Sequence, residues 1–534
     1  MKTTRWFAPC TAALMLMLAA CTGALDDQEA HAATAAPTWP PVWQDPPEVP
    51  QGDDTPPAFE PPTARDCHRA PALREVPGRI GEPGQTLGRG RMDDSGDARL
   101  ALREAPALAK AAPAPGRAAD TSRRAEAETE LRAAAPPALS ADRAFAPPPW
   151  PQPPQPVPAR PAHETVTAAM QDDNADFGEY LAYRQRNTHL PVRERDISER
   201  YLLEVTDAQG DPVHDAEVAV QRPGVAQPVM WARTDTAGRV WLHPRAFLSP
   251  RFDDERTLGV AVRKGGVQSR AVLMRGQSQA VQVRLGARLS APMRLDLVFL
   301  IDATGSMGDE IAKLKNSMRA MAQQISQLPG QPDICYGLVA YRDRGDAFIT
   351  RTHDFTDDLG AFQRQLANVQ AHGGGDTPEA LNEALHEVVH GLSWRAQAAR
   401  MVVLVADAPP HLDYGGCMSA PGAFGSSPSW GQRADGLGRP GACPQYDRDM
   451  QAALSKGIKL FAVGASGLDP VGEYIYRQMA QYTAGRFVFL TYRDAPGSGP
   501  GTQTVHDVKQ YSVQTLDKLV VRLVGEELAR LKRG

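Results

Sequence analysis

The sequence lacks several features that would assign a function directly. After residue 20 it has no apolar run of the roughly 20 residues that a membrane-spanning helix needs. Its formal net charge is only −5 in 534 residues, and Lys and Arg form no long stripe, so nucleic-acid binding is not indicated. These absences argue against nucleic-acid binding and against a membrane-spanning helix after residue 20.

The N-terminus resembles a secretion signal. Two basic residues precede an apolar run from Trp6 to Ala20, which is typical of a signal-peptide core. The run ends in Leu18-Ala19-Ala20-Cys21, which resembles the bacterial lipobox, where the cysteine becomes the lipidated first residue; plain secretion is the alternative. We therefore expect residues 1–20 to be removed and Cys21 to anchor the protein in the cell envelope. Because Thr22 is not Asp, sorting to the outer membrane is favoured, on its periplasmic or its outer face.

Residues 21–195 are expected to form a disordered tether. Of the 47 prolines in the chain, 29 lie before Ile197, in a tract rich in Ala, Pro, Arg and Glu with few aromatic residues. Such a tract cannot bury enough apolar surface to offset the loss of chain entropy on folding. The sequence therefore places the folded part of the protein after this tract.

The six cysteines suggest one disulfide. Cys10 would leave with the signal peptide. Cys417 and Cys443 flank a Gly/Pro/Ser-rich stretch, and an oxidising compartment favours a disulfide between them, with two reduced cysteines as the alternative. Cys335 lies in an apolar run and is expected to be a buried small hydrophobic residue. Cys67 falls in the tether and has no predicted partner.

Residues 198–288 are expected to fold as a small antiparallel β-sandwich. Short β-rich runs alternate with turn residues, as in Tyr201–Val205, the turn cluster Asp207–Pro212 and the alternating run Ala216–Val220. The run V-T-D-A-Q-G-D-P-V-H-D-A-E-V, followed by T-D-T-A-G-R-V, resembles the carboxypeptidase-regulatory-like sandwiches of bacterial surface proteins. The resemblance implies a spacer module.

Residues 291–534 show a different pattern, in which continuous apolar strands alternate with amphipathic helices. The predicted strands include Leu295–Ile301, Ile334–Tyr341 and Met401–Ala406, and one of the predicted helices spans Pro378–Leu392. This alternation predicts an α/β fold with a doubly wound, mostly parallel sheet covered on both faces. Ligands of such sheets bind beyond the carboxyl ends of the strands.

The loops at these strand ends carry oxygen-bearing side chains. Asp302, Thr304 and Ser306 follow the first buried strand with D-x-T-x-S spacing, which directs three short side chains to one spot. Oxygen ligands of this kind suit Mg²⁺, although Asp, Thr and Ser at a helix start are also ordinary N-caps. A second loop, H-G-G-G-D-T-P-E-A, offers Asp376 or Thr377, and Asp407 follows the strand Met401–Ala406.

Four motifs carry a resemblance to a known family. In chain order they are L-D-L-V-F-L-I-D-A-T-G-S-M, L-V-A-Y-R-D, G-G-G-D-T-P-E-A and V-A-D-A-P-P-H. Together they resemble a bacterial branch of the von Willebrand factor A family, over about Met293 to Arg533. The resemblance implies a metal-ion-dependent adhesion site, in which Thr304 and Ser306 bind the ion and two aspartates, Asp302 and Asp407, act largely through bound water.

One position departs from the family pattern. Gly375 stands where many members have Thr, with Asp376 and Thr377 beside it. If Asp376 binds the ion directly, its charge would make the ion a weaker acceptor for a carboxylate of a partner. The sequence leaves open which of the two residues is a ligand.

The expected function is therefore binding and not catalysis. The resemblance implies that an envelope-anchored lipoprotein binds a protein partner through Mg²⁺, or through Mn²⁺ or Ca²⁺, with an acidic side chain of the partner as a candidate ligand. A structural or assembly component of the envelope, with a metal-rigidified or metal-free domain, is the first alternative. A metal-dependent hydrolase is the second and weaker one, because these ligands are spread over several strand ends without a histidine cluster, a nucleophile elbow or a paired general acid.

Overall fold

The computed structural model describes residues 59–62, 67, 73–78, 165–248, 254–375, 377–412 and 444–531. The predicted signal peptide with Cys21, the predicted pair of Cys417 and Cys443, and Asp376 lie outside these residues. In the part of the chain that is described, no helix has both the length and the apolar character needed to cross a membrane.

The described residues form two small sheets and one large sheet that helices cover. A 3₁₀-helix covers Gly305–Met307 and a π-helix covers Glu387–Gly391. The other elements, in chain order, are β1 (Leu73–Pro77), β2 (Thr167–Gln171), α1 (Phe177–Arg186), β3 (Tyr201–Thr206), β4 (Glu217–Gln221), β5 (Pro228–Arg233), β6 (Arg239–Leu242), α2 (Pro244–Phe247), β7 (Thr257–Lys264), β8 (Val267–Met274), β9 (Val281–Arg284), β10 (Arg294–Asp302), α3 (Gly308–Ser326), β11 (Asp333–Tyr341), β12 (Phe348–Thr356), α4 (Leu359–Ala367), α5 (Leu381–His386), β13 (Ala399–Ala406), α6 (Tyr446–Ser455), β14 (Ile458–Gly464), α7 (Pro470–Tyr482), β15 (Phe487–Thr491), β16 (Gln514–Thr515) and α8 (Leu516–Leu531).

The predicted small sheets are present between residues 201 and 284. One sheet has the order β6-β3-β9 and the other the order β5-β4-β7-β8. Strand β3 alternates buried and half-buried residues, so Tyr201, Leu203 and Val205 face the core. All neighbouring strands are antiparallel except β3 and β9, which pair in parallel. Strand β5 was not predicted; its pairing with β4 buries Met230 and Ala232.

The large sheet confirms the predicted α/β fold. Its nine strands have the order β1-β12-β11-β10-β13-β14-β15-β2-β16. Five neighbouring strands in this sheet are parallel to each other, namely β11, β10, β13, β14 and β15. Strands β10 and β13 are buried almost throughout because α3, α4 and α8 cover one face and α5, α6 and α7 cover the other. Continuous apolar strands are therefore explained by burial on both faces.

One predicted helix is shorter than expected. The pattern predicted a helix over Pro378–Leu392, but α5 spans only Leu381–His386 and continues as the π-helix. The chain before α5 is extended, since the backbone N–H of Glu379 donates to the carbonyl of Pro409 and Glu379 forms a β-bridge with Pro410. The first residues of the predicted helix therefore belong to a strand-end loop.

Parts of the predicted tether belong to the fold, and that prediction was wrong for these segments. Strand β1 pairs with β12 at one edge of the large sheet, and β2 pairs with β15 near the other. Helix α1 buries Tyr180 and Tyr183. An edge strand presents unpaired backbone N–H and carbonyl groups. Even a short segment of low apolar content can therefore gain a ladder of hydrogen bonds there, which composition averaged over the whole tract does not reveal.

The expectations for Cys67 and Cys335 also need correction, whereas the pair of Cys417 and Cys443 stays a prediction. Cys67 and Cys335 form a disulfide with a Cα–Cα distance of 6.0 Å. Cys335 is fully buried on β11, as its apolar surroundings predicted, but it is not a free thiol. The partner was missed because 268 residues separate the two cysteines in sequence and only the folded chain brings them together.

The small sheets pack against the amino ends of the parallel strands. Asp215, before β4, pairs with Arg400 at the start of β13 at 2.9 Å. Asp235, before β6, pairs with Lys459 at the start of β14 at 2.9 Å. Because the strands are parallel, their carboxyl ends lie at the opposite edge of the sheet. The small sheets therefore leave the expected ligand-binding edge uncovered.

Candidate functional site

The candidate site lies where the strand order of the large sheet reverses. Strand β10 has β11 on one side, reached through α3, and β13 on the other, reached through α4 and α5. Asp302 is the last residue of β10, and Asp407 directly follows β13. A reversal of this kind opens a crevice at the carboxyl ends of the two strands. The topology thus brings together two aspartates that lie 105 positions apart in the sequence.

The D-x-T-x-S loop is held in a compact shape by its own side chains. The backbone N–H of Thr304 donates to Oδ1 of Asp302 at 2.9 Å, and the Thr304 hydroxyl donates to the same oxygen at 2.7 Å. The Thr304 and Ser306 hydroxyl oxygens are 3.1 Å apart. Asp302 and Thr304 are buried, whereas Ser306 is exposed. The predicted trio therefore forms a site with a buried floor and a solvent-facing hydroxyl.

The glycine-rich loop packs directly onto this trio. The N–H of Gly305 donates to the carbonyl of Gly373 at 2.9 Å. Gly374 has a φ of +66°, and a Cβ there would lie 2.8 Å from Oε1 of Glu379 and 3.1 Å from Cβ of Thr304. Only glycine combines this backbone conformation with such a close approach. The close packing explains the glycine at position 374.

Burial and mutual repulsion act on the carboxylates of the site. Burial, followed by the charge of Asp407, raises the pKa of Asp302 to about 7. Burial also raises the pKa of Asp407 itself. Burial, and then the charges of Asp302 and Asp343, raise the pKa of Glu379 to about 9. A nearby divalent cation would favour the charged form of each of these groups.

Three buried carboxylate oxygens of the site have no hydrogen-bond partner among the described residues. They are Oδ2 of Asp302, Oδ1 of Asp407 and Oε2 of Glu379. The Tyr341 hydroxyl is close enough to Asp302 to lower the pKa of that carboxyl, but the two groups do not form a hydrogen bond of normal geometry. A buried carboxylate oxygen without a donor is costly unless a cation satisfies it. The residues therefore fit a bound metal ion.

The predicted site residues have different outcomes. The structure brings Asp302, Thr304, Ser306 and Asp407 together, and Ser306 interacts with Asp407. Thr377 is exposed on the loop that carries the three glycines. Asp376 lies outside the described residues, so its role stays a prediction.

Glu379 is the main residue that sequence reasoning missed. It is 2 % exposed and interacts electrostatically with the other carboxylates of the site. Its signal was present, since it belongs to the motif G-G-G-D-T-P-E-A, but a glutamate in a predicted helix is normally solvated. The extended backbone before α5 turns it toward the site instead. Asp343 also lies nearby, where it pairs with His411 at 2.7 Å.

Known proteins resemble the part of the chain that carries this site. Residues 296–411 match the family model for the von Willebrand factor A domain, and the chain contains such a domain. The alpha-protein kinase vwkA of Dictyostelium discoideum is 30% identical over 119 residues, which are 22% of this chain and 19% of that protein. The von Willebrand factor A domain-containing protein 7 of Homo sapiens is 38% identical over 89 residues, 17% of this chain and 9% of that protein.

The chain thus spans about a fifth or less of these curated relatives. Among solved structures, the conserved hypothetical protein BatB from Bacteroides thetaiotaomicron superimposes with a TM-score of 0.27 and 12% identity, over 45% of this chain and 100% of that chain.

Proposed function

We propose that this von Willebrand factor A domain holds a divalent cation and binds a protein partner through it, without catalysis. Domains of this family generally mediate protein binding, and they often hold a divalent cation. The observation that carries the proposal is the set of three buried carboxylate oxygens without donors beside two hydroxyls. Thr304 and Ser306 would bind the ion through their hydroxyls, and Asp302 and Asp407 would balance its charge.

The chemistry of the ligands favours Mg²⁺. The candidate ligands offer only hydroxyl and carboxylate oxygens, and hard cations prefer such oxygens. Mg²⁺ retains several waters, which suits a site open to solvent at Ser306. Mn²⁺ and Ca²⁺ accept the same ligands and are the ions to compare. Asp376 or Thr377 would complete the ligand set from the glycine-rich loop.

A partner would reach the ion from the exposed side at Ser306, with an acidic side chain as the candidate ligand. A carboxylate of the partner would replace a water on the ion, while the buried floor stays in place. The cluster of Asp302, Asp407 and Glu379 works against a second negative charge, because each added carboxylate lowers the net positive charge of the ion. We therefore infer selective and moderate affinity for a partner whose remaining contacts lie around the rim.

Two other functions are weaker alternatives. A hydrolase would need a nucleophile and a general base within hydrogen-bond reach of each other. The imidazole closest in sequence to Asp407, that of His411, is engaged by Asp343. Of these two alternatives, the structural role is the stronger one. In that role, the ion only rigidifies the strand-end loops. It predicts an effect of the ion on stability without an effect on partner binding.

Metal binding is tested by calorimetric titration of Mg²⁺, Mn²⁺ and Ca²⁺ into the chain without residues 1–20. A fragment starting near residue 290 is unsuitable because it would lack β1 and β2 of the large sheet. We expect one saturable site whose affinity falls about tenfold or more in Asp302→Asn, equivalent to about 1.4 kcal/mol or more. Asp309→Asn, which changes an exposed aspartate in the first turn of α3, is the matched control. Equal binding by both variants would disprove the metal site.

Partner binding is tested with Ser306→Ala and the matched control Ser326→Ala, an exposed serine at the end of α3. Envelope proteins are crosslinked to each variant in Mg²⁺ and in chelator. We expect a crosslinked partner that requires Mg²⁺ and is lost in Ser306→Ala alone. If Ser306→Ala only lowers the melting temperature and retains the partner, the structural role is correct. Turnover of an ester or peptide that requires Asp302 would indicate the hydrolase.

The anchoring of the protein is a separate proposal. The lipobox resemblance of Leu18-Ala19-Ala20-Cys21 supports lipidation at Cys21 and a place at the outer membrane. Acyl chains would then hold the chain at the bilayer. Metabolic labelling with a fatty acid, followed by membrane fractionation, tests this. Cys21→Ser should abolish both label and membrane association; labelling that persists would contradict the proposal.

A further inference from the structure

A second cluster of metal-ligand side chains lies apart from the strand-end loops that form the adhesion site. His386 ends α5, His390 lies in the π-helix that follows, and Asp449 lies in α6. One ligand atom from each of the three residues lies within 4.8 Å of the other two. The set of two imidazoles and one carboxylate differs from the oxygen-only set of the adhesion site. Such sets favour borderline ions such as Zn²⁺.

Two of the distances between the ligand atoms are close to those around a tetrahedral ion. Nδ1 of His386 is 3.0 Å from Oδ1 of Asp449, and Nε2 of His390 is 3.1 Å from the same oxygen. Ligand atoms about 2.0 Å from a tetrahedral Zn²⁺ are roughly 3.3 Å from each other. The observed spacings need only small adjustments to reach this value. The two imidazole rings have centroids 4.5 Å apart and are tilted by 33°.

A buried oxygen without a partner points to a ligand at the cluster. The side chain of Asp449 is 4% exposed, yet its second oxygen, Oδ2, has no hydrogen-bond partner among the residues that the structure describes. An ionised carboxylate with an unsatisfied oxygen in such surroundings is costly. The two imidazoles face the other oxygen, Oδ1, so a cation that both oxygens of Asp449 bind beside the imidazoles would remove this cost.

Glu60 supplies the outer partner that zinc-binding histidines usually have. Its Oε2 lies 3.2 Å from Nδ1 of His390, the ring nitrogen that does not face Asp449. A carboxylate at this position fixes the tautomer of the ring, so that Nε2 is free of a proton and can bind an ion. Lys456 pairs with Glu60 at 3.1 Å and balances its charge. The segment around Glu60 is thereby joined to the helices of the domain.

We propose that His386, His390 and Asp449 bind one Zn²⁺, with water as the fourth ligand and Glu60 orienting His390. The ion links α5, α6 and the segment at Glu60 on the face of the sheet that α5, α6 and α7 cover. The competing arrangement is a proton in place of the metal. In that case His390 is an imidazolium between Asp449 and Glu60, because hydrogen bonds to these two carboxylates raise the pKa of His390 although burial lowers it.

The test is a Zn²⁺ competition titration against a chromophoric chelator, with tag-free protein spanning residues 22–534. We expect one tightly bound Zn²⁺ that is retained in Asp302→Asn, which separates this site from the adhesion site. Binding should be lost in His390→Gln and in Asp449→Asn. Glu60→Gln should weaken it about 10- to 100-fold, because only the outer partner is removed. Glu75→Gln, a change in β1 that affects a half-exposed ion pair with Arg351, should leave it unchanged.

A second measurement does not depend on the folding of any variant. Co²⁺ added to the wild-type protein should give the visible absorption of a four-coordinate ion with nitrogen ligands, and one equivalent of Zn²⁺ should remove it. No Zn²⁺ binding by the wild type, binding that survives in His390→Gln, or a Co²⁺ spectrum typical of six oxygen ligands would overturn the proposal. Each of these results would assign the cluster to the protonated arrangement.

Discussion

The ion pair between Asp215 and Arg400 offers a direct test of how the small sheets support the von Willebrand factor A domain. Oδ1 of Asp215 lies 2.9 Å from Arg400 and 3.1 Å from Arg233, and Oδ2 accepts the N–H of Gln397 at 2.9 Å. The Asp215 side chain is only 3% exposed. Its φ of +55° is a conformation that Asn also tolerates. Asp215→Asn therefore removes the charge while keeping the shape and the backbone.

We expect this substitution to lower the free energy of unfolding by about 3 kcal/mol. Removing one partner of a buried ion pair typically costs about 3–5 kcal/mol. The low end applies because Arg400 also donates to the carbonyls of Arg395 and Lys456, so it is not left without acceptors. For a folded unit of this size, the melting temperature should fall by roughly 4 °C, since the entropy of unfolding grows with the number of residues. Mg²⁺ affinity should stay within about twofold, since Asp215 lies at the opposite edge of the sheet from the proposed metal site.

The pH dependence gives an internal check. Although burial alone raises it, the charges of Arg400 and Arg233 hold the pKa of Asp215 well below its usual range. The stabilisation is therefore complete above the unfolded pKa of about 3.9 and is lost as the pH falls toward the lower folded value. Calorimetry should show the same difference between wild type and variant at pH 7 and pH 5, and a smaller one below about pH 4.

The control for this experiment is Glu204→Gln, which removes an exposed ion pair with Arg239. Exposed pairs contribute about 0–1 kcal/mol. If Asp215→Asn costs no more than this control, the buried pair does not hold the small sheets against the domain, and the reasoning is refuted.

Two further predictions concern a buried histidine and a glycine of the site. His243 is fully buried against Tyr482, and burial lowers its pKa to about 3. As the pH falls, the histidine therefore takes up a proton in the unfolded chain before it does so in the folded protein. This difference should lower the free energy of unfolding by about 2 kcal/mol between pH 7 and pH 5. His243→Phe should flatten this loss in denaturant titrations at the two pH values, and an unchanged slope would contradict the assignment. Gly374→Ala forces a Cβ toward Glu379 and Thr304 at a positive φ, so we expect about 1–2 kcal/mol of destabilisation and roughly tenfold weaker Mg²⁺ binding by calorimetry. Gly375→Ala is the control, because Gly375 also has a positive φ but a Cβ there meets nothing within 4 Å. Equal effects of both changes would exclude the packing explanation.

The sequence by itself predicted the α/β sheet and the residues at its strand ends. Continuous apolar runs such as Leu295–Ile301 can be read locally, because burial on both faces imposes the same requirement on every residue of a central strand. Asp302, Thr304 and Ser306 could be predicted for a related reason, since a short loop fixes their spacing. Asp407 followed from the topology, because parallel strands place their carboxyl ends at one edge.

Only the tertiary structure decided which distant residues meet. The edge strands β1 and β2, the disulfide of Cys67 with Cys335 and the turn of Glu379 into the site all depend on contacts between remote segments. The cluster at Asp449 belongs to the same class, since its histidines lie about 60 residues away. Local sequence reports the burial and conformation that each residue needs, because periodicity and turn chemistry act over a few residues. The partner of each residue is chosen by the packing of the whole chain, and no local pattern records that choice.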